Sequence, residues 1–332
     1  MRCSIDLDCP GKREGFVQLN HSDNRHAYGV IPIPIGVVAA DNDGPTVLLT
    51  AGNHGDEYEG IVILQRLFRD LDPSRIRGRI IIMPSLNLPA VRVYQRTSPL
   101  DGANMNRSFG AQDISGPTQE IAQFVEEQLI AQSDYAIDLH SGGKMCEFSP
   151  CGYIYAGGGR KRLQNKFNAA HQFGAKYTVI VEGSPGSLSA AGERAGVIML
   201  SAELGGGRIR RENIELGYNG TVNALAGWDF LDHAPEETKT IFLRSGSASS
   251  SVMSPVRGVF EPLTDVGQQI AAGDTVGRIY PLDALDQSVV TVNTQSSGVI
   301  IGQRTQACVQ RGDFLLHLGE SVEESELLHQ SD

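Results

Sequence analysis

Basic residues are scarce in this chain: 28 Lys and Arg stand against 39 Asp and Glu, a net charge of −11 over 332 residues. A phosphate-backbone binder draws much of its affinity from basic clusters, so nucleic acid is not an expected partner. No apolar run approaches the roughly 18 residues that would suggest a membrane span. The opening "MRCSIDLDCPGKREG" also places acidic residues where a secretory signal would carry its apolar stretch. A cytoplasmic protein without a membrane partner is expected. Cysteine is sparse and odd in number, at Cys3, Cys9, Cys146, Cys151 and Cys308, which does not suit the disulfide framework of a small secreted domain. Lysine is missing altogether after Lys239. No G-x-S-x-G elbow, P-loop or properly placed G-x-G-x-x-G occurs, and the serine-hydrolase and nucleotide-binding readings fall with them.

What is present is an ordinary globular composition, 40% hydrophobic, with a regular alternation of elements. "TVLLTA" at 46–51 and "RIIIMP" at 79–84 read as buried strands. Between them Leu64, Leu67, Phe68 and Leu71 recur at helical spacing behind the acidic Asp56, Glu57 and Glu59. A helix near 118–131, a strand at 135–140, a helix near 160–172 and strands near 177–182 and 197–203 continue the rhythm. The expectation is an α/β fold with a mixed, largely parallel sheet and flanking helices. From about residue 235 short strands and Gly-Asp turns take over, so the boundary is set at 1–238 for an α/β domain and 239–332 for a small all-β domain. That division predicts a metal site that forms without the C-terminal part. Two stretches, from Arg257 and from Ser297, echo each other: Gly-Val, a strand, then Gly-Asp before an apolar run.

Ligands of α/β sheets gather at the carboxyl ends of strands, and polar residues stand there. His54 and Glu57 in "GNHGDEYEG" offer a nitrogen and an oxygen ligand, and His140 in "DLHSGG" offers a third from another strand end. Three protein ligands with one open position is the catalytic arrangement for zinc. A polar turn whose glutamate favours the helix dipole would use the same residues. Gly52 and Gly55 beside His54 allow unusual dihedrals, and Asp138, on the same strand face as His140, could hold its other ring nitrogen. Glu203 in "SAELGGG" ends an apolar strand and could act as general base toward a metal-bound water. The aperiodic loop 94–109 concentrates Arg96, Asn104, Asn106 and Arg107, which in an acidic chain suggests an anion clamp, although solvated loop arginines would read the same.

Taken in order, "GNHGDE", "RTSPLDGANMNR", "DLHSGG" and "AELGGG" resemble the succinylglutamate desuccinylase/aspartoacylase family of zinc-dependent acyl amino acid hydrolases, across most of residues 25–320. The motifs are most similar to those of the deacetylases that act on N-α-acetyl-L-2,4-diaminobutyrate in ectoine breakdown. The resemblance implies a zinc carboxypeptidase-like fold and one Zn²⁺ per chain on His54, Glu57 and His140. It makes Glu203 the general base and proton shuttle, Arg96 the polariser of the scissile carbonyl, and Asn106 with Arg107 the clamp on the α-carboxylate of a small N-acyl amino acid. "NRSFGAQD" departs from the "FPG" of many relatives. The C-terminal segment resembles a lipoyl- or biotinyl-like β-domain, yet without a lysine it carries no lysine-linked group. Oligomeric state stays open, with a homo-oligomer compatible. A zinc carboxypeptidase and a catalytically silent ligand-binding protein of the same fold are the alternatives.

Overall fold

A computed structural model gives the fold and describes residues 1–24, 26–246, 250–283 and 285–329. The apolar runs form strands where expected: Thr46–Ala51, Arg79–Met83, Tyr135–His140 and Ile198–Glu203. They lie parallel, with Thr46–Ala51 between Arg79–Met83 and Tyr135–His140, and Ile198–Glu203 outside the latter. Their near-continuous apolar composition follows from cover on both faces. Helices Glu59–Asp70, Arg160–Phe173 and Arg211–Gly227 close one face, where Leu64, Phe167 and Leu225 meet Leu49 and Ile137. On the other, Ile121, Leu129 and Leu188 meet Leu48 and Ile81. Among the described residues no helix is long and apolar enough to cross a membrane.

The sheet is mixed, as expected. Strand Cys151–Tyr155 runs antiparallel to Ile198–Glu203 but parallel to Tyr177–Val181, so the parallel run reverses direction in mid-sheet. At the other edge a long hairpin, Gly11–Asp23 with His26–Ala39, joins Arg79–Met83 antiparallel through residues 36–39. Pro32 and Pro34 alternate there with the buried Ile31, Ile33 and Ile35. The prolines are tolerated because this stretch pairs on one side only and owes no N–H to a second neighbour. The helix expected over 118–131 is broken into an α-helix Pro117–Phe124, a π turn Val125–Leu129 and a 3-10 turn Ile130–Gln132. The changes of pitch keep Val125, Leu129 and Ile130 all buried.

The sequence echo in the C-terminal part is structural. Gly258–Pro262, Gln269–Ile270 and Thr275–Tyr280 form one long-short-long set, and Gly298–Arg304, Cys308–Val309 and Phe314–Ser321 form the other. Each short strand pairs with the first long strand of the other set, enclosing Phe260, Val276, Ile300 and Leu316. The two parts share a sheet across the 238/239 boundary. Ile241–Arg244 extends the large sheet, parallel to Tyr177–Val181 and antiparallel to Phe314–Ser321. Helix Glu324–His329 then returns to bury Leu327 in the core of the large part.

Candidate active site

Thr46–Ala51 ends at Gly52, whose φ of 66° turns the chain at once. Gly55 approaches the helix Leu88–Val93 so closely that a Cβ would stand 2.1 Å from the Ala90 carbonyl carbon. His54 and Glu57 therefore project from a tight buried turn ahead of helix Glu59–Asp70, not from its first turn. His140 closes its strand and Glu203 closes the neighbouring one, in direct register.

Glu57 joins the two histidines. Its Oε1 lies 2.7 Å from His54 Nδ1 and its Oε2 lies 2.8 Å from His140 Nδ1. One ligand atom from each of the three falls within 4.8 Å of the others. Behind His140, Nε2 is 2.7 Å from Asp138 Oδ2, and Asp138 also accepts from Thr50 Oγ1 at 2.7 Å and from Asn53 Nδ2 at 3.2 Å. An ionised Asp138 can only accept, so His140 donates from Nε2 and, when neutral, aims the Nδ1 lone pair at a carboxylate oxygen. That arrangement calls for positive charge between the groups, a proton or a metal ion. Burial opposes a charged His140, but Asp138 and Glu57 outweigh it and raise its pKa well above the usual value. Burial likewise opposes the Glu57 charge, and the two imidazoles prevail, holding the carboxyl well below the ordinary carboxylate range. Two imidazole nitrogens and a carboxylate, with His140 supported from behind by a carboxylate, fit a zinc ion with one open position.

Glu203 has a buried Oε2 without a hydrogen-bond partner among the described residues. Burial, and then the Glu57 charge, push its pKa up to about 8. A carboxyl so placed can take up a proton and return it near neutral pH. Arg96, half exposed, reaches Glu57 Oε1 at 3.4 Å. Asn106 and Arg107 lie on the 3-10 turn Met105–Arg107 and are not hydrogen-bonded to the cluster. Asn106 Oδ1 accepts from the Leu188 N–H at 3.0 Å, and the exposed Arg107 guanidinium donates to the Asn106 carbonyl at 2.6 Å. Sequence reasoning gave Asn104 no role of its own, yet its Oδ1 lies 3.1 Å from His54 Nε2. All five cysteines are free. Burial and the Glu203 charge raise Cys146 to about 12 and Cys151 well above the ordinary thiol value, so both stay protonated.

The C-terminal part packs against the segment that follows His140. Gly298–Arg304 pairs with Cys146–Phe148. Thr305 donates its N–H to the Met145 carbonyl at 3.1 Å and its hydroxyl to the Lys144 carbonyl at 2.5 Å. The loop after His140 is thus held from the C-terminal side.

The family model described as the succinylglutamate desuccinylase/aspartoacylase catalytic domain matches residues 43–226. The chain is 33% identical over 326 residues to the N-alpha-acetyl-L-2,4-diaminobutyric acid deacetylase of Halomonas elongata, covering 96% of this chain and 95% of that protein. Among solved structures, a succinylglutamate desuccinylase/aspartoacylase from Rhodobacter sphaeroides superposes with a TM-score of 0.92 at 31% identity, covering 97% of this chain and 99% of that one. The product-bound ectoine utilization protein EutE (DoeB) from Ruegeria pomeroyi gives 0.91 at 33% identity, covering 96% and 98%. With its strand-end His-Glu-His cluster and relatives similar from end to end, the chain belongs to the succinylglutamate desuccinylase/aspartoacylase family.

Proposed function

We propose that the chain is a zinc-dependent hydrolase that cleaves the amide bond of a small N-acylated amino acid. The observation that carries this reading is the convergence of both Nδ1 atoms on one buried carboxylate, beside a second carboxyl with an unpartnered oxygen. His54, Glu57 and His140 would hold one zinc ion, which when bound lowers the pKa of a water and withdraws electron density from a carbonyl. Glu203 takes a proton from the water as its oxygen bonds to the acyl carbon, then delivers a proton to the amine nitrogen as the C–N bond breaks. Arg96 sets positive charge beside the oxygen on which negative charge develops. Arg107, fixed at one edge by the Asn106 carbonyl, offers its other N–H groups to the substrate α-carboxylate, with Asn106 beside it. Products are a carboxylic acid and a free amino acid.

The Halomonas elongata relative makes N-α-acetyl-L-2,4-diaminobutyrate the first substrate to try, ahead of acetyl-aspartate and succinyl-glutamate. We place the enzyme in the cytoplasm, where such small metabolites are processed. Hydrolysis assays of zinc-replete protein on acyl amino acids and on peptides test the reading. Turnover of acyl amino acids is expected; cleavage of peptides alone would make it a carboxypeptidase, and turnover of neither would end the proposal.

A further inference from the structure

The two histidines of the centre are supported unequally. His140 has the Asp138 carboxylate behind it, whereas His54 has a neutral amide, and that amide comes from the loop that carries the proposed carboxylate clamp. The Asn106 backbone N–H can only donate, and it points at the Asn104 side chain from 3.0 Å, so the atom facing it is the amide oxygen. This same oxygen stands 3.1 Å from His54 Nε2. Facing an acceptor, a neutral His54 must carry its proton on Nε2, which leaves the Nδ1 lone pair directed toward Glu57 and His140. The Asn104 backbone is itself fixed, since its carbonyl accepts from the Arg107 N–H at 3.0 Å and the Ser108 hydroxyl at 2.9 Å.

We propose that Asn104 is a positioning residue for the metal: its amide oxygen sets the tautomer and ring orientation of His54 and ties that ligand to the turn bearing Asn106 and Arg107. This rests on the reading of His54, Glu57 and His140 as metal ligands. One oxygen then serves two donors, so the placement of the clamp and the placement of a ligand share a single support.

The test is zinc affinity, read by competition with a chromophoric chelator, alongside thermal melts of each variant. Loss of a partner behind a ligating histidine typically costs about 10–100-fold in metal affinity. Asn104→Ala and Asn104→Ser are both expected to weaken zinc binding by that factor. Serine can still cap the turn but is too short to reach His54, so its loss separates ligand support from loop structure. Asn104→Asp keeps an acceptor at the same reach and is expected to bind zinc at least as tightly as wild type. Wild-type affinity in Asn104→Ser, or a fall in Asn104→Asp equal to that in Asn104→Ala, would overturn the role given to Asn104 and leave the metal centre standing. Failure of the wild-type protein to bind zinc would overturn both.

Discussion

Replacing Glu203 with glutamine removes the proposed proton carrier and changes little else in the pocket. The side chain keeps its length and shape, and its Oε2 makes no hydrogen bond among the described residues that the substitution would break. A positioned acid/base group typically contributes 10²–10⁴-fold, so Glu203→Gln should lower kcat by about that factor, or roughly 3–5 kcal/mol at 1.36 kcal/mol per decade. Stability should move the other way. The Glu203 pKa is raised from 4.5 to about 8, so the folded protein loses stability as pH rises from the lower value to the higher one, where the unfolded chain ionises and the folded chain resists. Glutamine carries no such loss. In metal-free protein the variant should melt with wild type near pH 4 and above it at pH 8. Steady-state kinetics on zinc-replete protein, a zinc stoichiometry and melts at both pH values check all three points. Near-normal kcat with zinc bound would refute Glu203 as the base, and a variant that melts below wild type at pH 8 would refute the burial argument for its pKa.

Arg107→Ala should cost about 10- to 150-fold in kcat/KM on a free acyl amino acid, the worth of a charge-assisted hydrogen bond, and much less on the α-amide of the same substrate. Full additivity of the two changes would place the clamp elsewhere. Asp138→Ala should weaken zinc binding by about 10–100-fold in chelator competition, because His140 then loses its acceptor; unchanged affinity would count against that support. Deleting the chain from Lys239 onward removes strand Ile241–Arg244 and the cover that Leu327 provides, and should give an insoluble or non-cooperatively melting product. A soluble truncation that binds zinc like the full chain would support the division at 238/239.

Strands that are mostly apolar were legible because a parallel sheet covered on both faces calls for short buried runs such as "TVLLTA" and "YAIDLH", and both have the bounds the sequence suggests. The ends of those strands then placed His54, Glu57, His140 and Glu203 near one another. Less legible was whatever depends on partners distant in sequence. The hairpin strand His26–Ala39 hides behind its prolines, which forbid a central strand but not a free edge. Cys151–Tyr155 is short, and only its neighbours decide that it runs against Ile198–Glu203. Asn104 sits in an aperiodic loop where several polar residues look alike, and only the fold shows which one faces a ligand ring. The shared strand beyond residue 238 follows from sheet pairing, to which a change in local composition is blind.

On the proposed function one metal ion per chain sits among His54, Glu57 and His140. Anomalous scattering at the zinc edge, from crystals of zinc-loaded protein, tests it most directly. A single strong peak is expected between the three side chains, with metal–nitrogen distances of about 2.0–2.1 Å to both histidines. A peak at any other place, or none at this one in fully loaded protein, would contradict it.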